Sequence, residues 1–350
     1  MSTILRKTRS PADTCDARAA SWSRGRRQRT SVNLERLGRH ARFRVLQLGR
    51  WTRLPLEVRV RLLYWTHHPW RLSRRPASFN EKLRWKMVKD RRPLLTTFAD
   101  KVAVRQYVAS AVGPEVLAES YAVVDDPVEL DRHRLPREFV VKANHASGTV
   151  FIVTDPDRFP GDLPSSDGKL GQNSVIASCD DLDWDLLVAT CRRWLSHDYA
   201  RWVGEWPYRD VPRKLLVEEL LTGPGGTLPP SDYKFYVFHG RVRLLEVHTD
   251  RYTDHRANLF LPDWSPVEAD LAFPRAEQEI PRPLQLEQMI GMAQALGRDT
   301  DFVRVDLYDI GGRIVFGELT NYPEGGLGEF KPRWFDEHLG GWWTLPRRYG

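Results

Sequence analysis

The sequence predicts an α+β fold, on three observations. After Pro136, short runs rich in β-branched and aromatic residues follow one another along the chain. Several are joined by tight glycine turns, His239-Gly240 and Asp309 to Gly312, which are hairpin signals for a largely antiparallel sheet. Before and between these runs lie segments with apolar residues at helical spacing. Helices alternating with antiparallel hairpins describe an α+β, enzyme-like body.

The 350 residues carry a formal charge of +7, unevenly placed. Residues 1–53 hold 14 Lys and Arg against 3 Asp and Glu, and the remainder 39 against 43. Residues 1–53 therefore read as a basic, disordered tail. Its sharper alternative is an arm touching anionic lipid or nucleic acid through Trp22, Arg24, Arg26, Arg27 and Arg29. No apolar run approaches the ~18 residues of a membrane span. The start of the chain lacks an apolar leader, no Asn-x-Ser/Thr site occurs, and the three cysteines form no metal spacing. The expectation is a cytoplasmic protein, with the tail at most peripheral to the inner membrane face and no specific nucleic-acid partner.

Residues 54–136 are expected to be mainly helical. The stretch 54–65 fits a strand and a helix face about equally, and is read as helix. Ser78 and Glu81 form a capping box, and Phe79, Leu83 and Met87 follow at four-residue spacing, predicting a helix over 79–89. Thr97 and Asp100 repeat the signal ahead of Val104, Tyr107, Val108 and Ala111, predicting a helix to about Ser110. Strands are expected at 139–142, 150–153, 215–220, 233–238, 242–247, 302–308 and 314–319, and helices at 183–196 and 284–296. Residues 161–178, rich in Gly and Ser, read as a loop.

The most informative stretch runs from Val303 to Thr320. A turn centred on Gly312 would set Tyr308 opposite Phe316, Asp306 opposite Glu318 and Arg304 opposite Thr320, all on one face. Two carboxylates ~5 Å apart at an effective dielectric of ~20 repel by roughly 3 kcal/mol. A chain tolerates that if one acid is protonated, if Arg304 bridges them, or if a divalent cation sits between. Spacing alone does not choose between a Mg²⁺ site and a solvated hairpin face. Upstream, Lys142 ends a strand that runs into the small polar loop Ala143 to Thr149, whose backbone amides could cradle phosphate. A plain hairpin explains the same residues. Walker A, GxGxxG, HExxH and GxSxG patterns are absent.

In order, the segments PASFNEKLRWKMVKDRRPLL, FADKVAVRQYV, LPREFVVKANHASG, LLVEELL, DYKFYVFHGRVRLLEVHTDRYTDHRANLF and FVRVDLYDIGGRIVFGELTNYPEGG resemble the TupA-like ATP-grasp family over about 76–346. The resemblance implies an ATP-grasp fold, two α+β subdomains clamping ATP with Mg²⁺: a small lid subdomain at 137–221 and a catalytic, metal-binding subdomain at 222–350. It implies phosphate contacts from Lys101 and Lys142 and a flexible lid over His145, Ser147, Gly148 and Thr149. A hinge at Glu218, Glu219 and Leu220 would bind adenine and ribose, and Lys234 would lie near the nucleotide. Asp306 and Glu318 would bind Mg²⁺, with Asn321 as a further ligand displaced by one residue from the usual place, where Thr320 stands. Arg304 and Lys142 would carry catalysis by charge neutralisation, and Arg251 and Arg256 would clamp an acceptor carboxylate.

The implied activity is an ATP-dependent carboxylate–amine ligase passing through an acyl phosphate, acting in cell-surface polysaccharide biosynthesis. Its acceptor would be a small molecule or glycan bearing a carboxylate, joined to an amine. A phosphotransferase acting on a sugar hydroxyl and a non-catalytic nucleotide- or polyanion-binding protein are the alternatives.

Overall fold

The structure is a computed structural model that describes residues 75–158, 174–223, 226, 228–251 and 254–349, together with 54, 55, 58 and 59. The basic tail, most of the 54–65 segment and residues 161–173 of the expected loop lie outside the described residues. The chain divides into Met1–Leu62 and Leu63–Gly350, and the elements below belong to the second unit.

From residue 75 onward the described residues begin with three helices: α1 (Phe79–Lys89), α2 (Pro93–Ala99) and α3 (Ala103–Val112). The capping box starts α1 as expected, with Ser78 and Glu81 each satisfying the other's backbone amide. The second helix signal resolves differently. Pro93 opens α2, so Thr97 lies inside a helix and Asp100 ends it. Asp100 then accepts from the Val102 amide (2.8 Å) and from Asn144 Nδ2 (2.8 Å), which breaks the chain direction before α3. The side chain that looked like a helix start is spent on a corner.

The first sheet contains β1 (Ser120–Val124), β2 (Phe139–Ala143), β3 (Val150–Thr154), β4 (Ser174–Ser178) and β5 (Leu215–Glu218), in the order β1-β5-β2-β3-β4. Its pairs are antiparallel except β3 with β4. Two strands were not anticipated. β1 falls in the segment read as mainly helical; it is a half-exposed edge strand, so its pattern carries little apolar signal. β4 occupies the end of the expected loop, where Val150–Thr154 supplies a parallel partner that local composition cannot announce. Helix α4 (Trp184–Ser196), capped by Asp183, covers this sheet with Leu187, Cys191 and Trp194. The short α5 (Tyr199–Val203) follows it.

The second sheet contains β6 (Asp232–Phe238), β7 (Arg241–Thr249), β8 (Arg256–Phe260), β9 (Pro266–Val267), β11 (Phe302–Ile310) and β12 (Arg313–Thr320). Its order is β12-β11-β6-β7-β8-β9, antiparallel throughout. β10 (Asp270–Leu271) pairs with β13 (Phe330–Lys331) beside it. One face, with Phe235, Val237, Val303 and Val305, packs on α2, α3 and α6 (Leu286–Leu296). At one end of the other face, Tyr236, Phe238 and Phe302 pack around Phe79 of α1, Trp343, and Phe335 and Leu339 of α7 (Trp334–Gly341). The rest of that face is charged and largely buried: Asp232, Lys234, Glu246, Arg304 and Asp306. Among the described residues no helix is long and apolar enough to cross a membrane.

Candidate functional site

The β11–β12 hairpin sets the two acids opposite each other. Asp306 pairs with Glu318 and Arg304 with Thr320, in the expected register. The pairing then slips: Leu307 faces Phe316 and Tyr308 faces Val315, so the expected Tyr308–Phe316 pair does not form. The extra residue is Gly317. A Cβ there would lie 3.0 Å from Tyr308 Cε2 and 3.1 Å from the Asp306 carbonyl oxygen. A bulge needs a residue that lets the partner strand come that close.

Around these acids the face is a lattice of charge. The Arg304 fork donates to Asp306 Oδ1 through Nε (2.7 Å) and, through Nη2, to Asp306 Oδ2 (2.7 Å), Glu318 Oε1 (3.0 Å) and Thr320 Oγ1 (3.1 Å). Lys234 on β6 reaches Asp306 Oδ2 (2.7 Å) and also Asp232. Burial and Asp306 push Glu318 up, but Arg304, Lys234 and Lys101 outweigh them and hold it below the usual carboxylate value. Burial alone would lower Lys234, yet Asp232 and Asp306 hold it above the ordinary lysine value. Arg251 stands 3.4 Å from Asp232 at the rim.

The register carries the lattice one strand further. Lys234 faces Glu246 and Asp232 faces His248 on β7. Tyr236 donates to Glu246 Oε2 (2.8 Å), and His248 Nε2 lies 2.9 Å from Glu246 Oε1. His248 Nδ1 lies 2.7 Å from His255 Nε2. The sequence singles out neither Asp232 nor Glu246, and the two histidines lack metal-ligand spacing in it. The alternation Asp232, Lys234, Tyr236 opposite Glu246, His248 was the available signal.

The first sheet contributes from the other side. Lys142 at the end of β2 is paired with Glu218 on β5, and Arg105 lies 3.6 Å from the same acid. Lys101 donates to the Ala146 carbonyl oxygen in the small polar loop. Burial lowers Lys101, opposed by Glu318 and Glu218 and aided by Lys142. Lys101, in the turn between α2 and α3, thus links Lys142 and Glu218 of the first sheet to Glu318 of the second. In the loop, Ser147 and Gly148 are exposed, Gly148 has φ 69°, and the buried Thr149 hydroxyl has no partner among the described residues.

Other expected residues stand apart from the acids. His145 is buried, with Nε2 3.2 Å from the Trp194 carbonyl oxygen. Glu219 accepts a bidentate pair from Arg313 (2.8 and 3.1 Å), and Leu220 packs beside Val140 and Ile152. Arg256 is held by Asp254 (2.5 Å) and the Arg275 carbonyl oxygen (3.3 Å), facing its own loop. Asn321 donates to the Leu95 carbonyl oxygen (2.9 Å), while its buried Oδ1 has no partner among the described residues. Unanticipated neighbours come from 199–208 and from Glu324. Burial, Glu318 and Glu324 push Glu205 up to about 8, and the rings of Tyr199 and Tyr208 meet edge to face at 4.9 Å.

Among the described residues no three His, Cys, Asp or Glu side chains are grouped to hold a metal. Mg²⁺ needs fewer, since it takes one or two carboxylates and completes its shell with water and phosphate oxygens. Opposed Asp306 and Glu318, with Asp232 and Glu246 behind them, supply that donor chemistry. Arg304, Lys234, Arg251 and Lys101 offset their charge and the first two take both Asp306 oxygens, so the carboxylate oxygen that would meet a divalent cation is the second one of the part-exposed Glu318, whose Oε1 alone is held by Arg304 and Thr320.

Comparison with known proteins adds the following. The profile of the family described as TupA-like ATPgrasp matches residues 81–343. No curated protein matches the sequence. Among solved structures, an L-amino acid ligase from Bacillus licheniformis is 13% identical over 77% of this chain and 55% of its own, with TM-score 0.40. D-alanine–D-alanine ligase from Bacillus anthracis is 16% identical over 65% and 59%, with TM-score 0.34. The ATP-grasp ligase PsnB, complexed with a phosphomimetic precursor variant, Mg and ADP, is 12% identical over 69% and 56%, with TM-score 0.33. The chain thus spans between 55% and 59% of the length of these three structures. The family match covers most of the chain and includes every strand described above: the chain belongs to the TupA-like ATP-grasp family.

Proposed function

We propose that the protein is an ATP-dependent carboxylate–amine ligase that forms an acyl phosphate and releases ADP. The observation that supports this reading best is the convergence of Lys101, Arg304 and Lys234 on the facing acids Asp306 and Glu318. A carboxylate attacking the γ-phosphorus is one anion approaching another, so quenching charge is the main catalytic need. Lys101 and Lys142 hold the phosphates, and Arg304 steadies the transferring group or the reacting carboxylate. Glu218, Glu219 and Leu220 line the adenine side. When bound, Mg²⁺ supplies the remaining neutralisation at Asp306 and Glu318. Arg251 meets the acceptor's carboxylate at the rim. The acceptor is a small molecule or glycan of cell-surface polysaccharide biosynthesis, and the reaction is cytoplasmic. The basic segment before residue 54 meets an anionic membrane surface.

The test incubates the protein with ATP, Mg²⁺, hydroxylamine and a panel of uronic and amino acids. A hydroxamate with stoichiometric ADP is the expected result, lowered about 10²-fold or more in Asp306→Asn and Glu318→Gln. A stable phosphorylated sugar formed without any amine would replace the ligase reading by phosphotransfer.

A further inference from the structure

Carboxylates set opposite each other on neighbouring strands repel, and the pair is stable only if positive charge lies between them or one of them is protonated. For Asp306 and Glu318 that charge is already present inside the chain. Arg304 Nε donates to Asp306 Oδ1 (2.7 Å), and Nη2 reaches both Asp306 Oδ2 (2.7 Å) and Glu318 Oε1 (3.0 Å). One guanidinium therefore spans the pair. A divalent cation between the acids would use the same oxygens for the same purpose, so the two exclude each other.

Counting lone pairs shows how little is left for a cation. A carboxylate offers about four. On Asp306, which is 2% exposed, Arg304 occupies Oδ1 and shares Oδ2 with Lys234 Nζ (2.7 Å). On Glu318, Arg304 and the Thr320 hydroxyl (2.7 Å) both occupy Oε1. Glu318 Oε2 accepts from none of the described residues, and the side chain is 40% exposed. A cation arriving alone thus meets one carboxylate oxygen in place of two facing carboxylates. Mg²⁺ dehydrates reluctantly, and a single oxygen holds it poorly.

The guanidinium is crowded on one side only. Nη2 carries two hydrogens and faces three acceptors, Asp306 Oδ2, Glu318 Oε1 and Thr320 Oγ1, the last at 3.1 Å. Nη1 also carries two hydrogens, and no described residue accepts from it. Phosphate oxygens suit the planar fork as well as carboxylate oxygens do. A nucleotide phosphate would give Arg304 new partners and leave the carboxylate oxygens to a cation.

We propose, resting on the reading of Asp306 and Glu318 as the cation site, that Arg304 guards that site. Without nucleotide its guanidinium occupies the acid oxygens and keeps a free divalent cation off them, and the Thr320 hydroxyl holds it there. Phosphate is the partner that draws the guanidinium away. Cation and nucleotide binding are thereby coupled, each favouring the other. The site stays empty of cation when there is nothing to activate.

The test uses Mn²⁺ alone, without nucleotide, and reads bound Mn²⁺ on the full chain by electron paramagnetic resonance. Arg304→Lys keeps the charge but replaces the fork by a point that cannot span both acids. Thr320→Val keeps the size of the side chain and removes the hydroxyl that fills Glu318 Oε1. Neither variant changes net charge, so a gain in affinity reads the contacts and not the overall field. Arg304→Lys should bind Mn²⁺ about 10-fold more tightly than wild type, or better, and Thr320→Val about 3-fold or better. An Arg304→Lys protein that binds Mn²⁺ no more tightly than wild type overturns the proposal. If Arg304→Lys does not fold, Thr320→Val decides on the same terms. The double variant Arg304→Lys, Glu318→Gln separates the guard from the site it guards. Loss of the gained Mn²⁺ in that double variant supports both. Mn²⁺ retained there lies elsewhere, and the cation site falls together with its guard.

Discussion

At the scale of single residues the protein concentrates buried charge in two places with different roles. One is the site; the other is structural. Lys86, fully buried on α1, donates to Asp301 (2.5 Å), Thr300 (2.8 Å) and the Phe302 carbonyl oxygen (3.1 Å). Trp343 and Tyr349 both donate to Asp301 Oδ2 at 2.8 Å, so this knot ties residues 343–349 to α1. Burial pushes Asp301 up, but Lys86, Trp343 and Tyr349 outweigh it and hold the carboxyl below its ordinary 3.8. A depressed carboxyl stabilises the fold fully above the ordinary value, and that contribution is lost as pH falls through the lower folded value. Asp301→Asn should therefore cost about 3 kcal/mol at neutral pH. It should also flatten the loss of stability below pH ~4, read by urea unfolding across that range. Residue identity made part of the site legible: Asp306, Glu318 and Arg304 announce themselves by alternation on facing strands. His248 and His255 do not, because seven positions of chain separate two rings that only the β7–β8 turn brings together.

At the scale of elements, legibility followed locality. The α1 capping box and the strands bounded by glycine turns are written in neighbouring residues, and each forms where its pattern lies. β4 and the corner at Asp100 depend on distant partners, Val150–Thr154 and Asn144, so local pattern misreads both. The register slip at Gly317 lies between these cases: the glycine is visible, but the bulge needs Tyr308 against it. Gly317→Ala should cost about 1–3 kcal/mol and weaken ATP binding, because relief of the clash moves Glu318 relative to Asp306. Gly340→Ala is the control at a distance. Its Cβ would lie 2.1 Å from the Ala77 carbonyl oxygen where α7 crosses the start of α1, so stability should fall at least as far. Calorimetric titration on whatever fraction stays folded should show unchanged affinity for ATP in that variant.

At the scale of the whole molecule, nucleotide bound between the sheets should stabilise the fold by linkage. Mg²⁺-ATP at a hundred times its dissociation constant contributes about 2.7 kcal/mol. The thermal midpoint should then rise by about 4–5 °C. The Asp306→Ala, Glu318→Ala double variant should show no such rise, and a rise equal to wild type would remove the acids from the nucleotide site. Salt should leave the effect largely intact, since Asp306, Arg304 and Lys234 are buried and only Glu318 is part-exposed.

Arg304 has three partners, Asp306 two, and Lys234 two, and each of these partners answers to a neighbour in turn. Changing one member strands the others in a medium that solvates them poorly. Viable variants of this face must therefore come in matched sets, and a single-step mutational walk from one set to another crosses forms that neither fold well nor turn over. Libraries that vary these positions together are the way to find replacements; scanning them one at a time will report every position as indispensable.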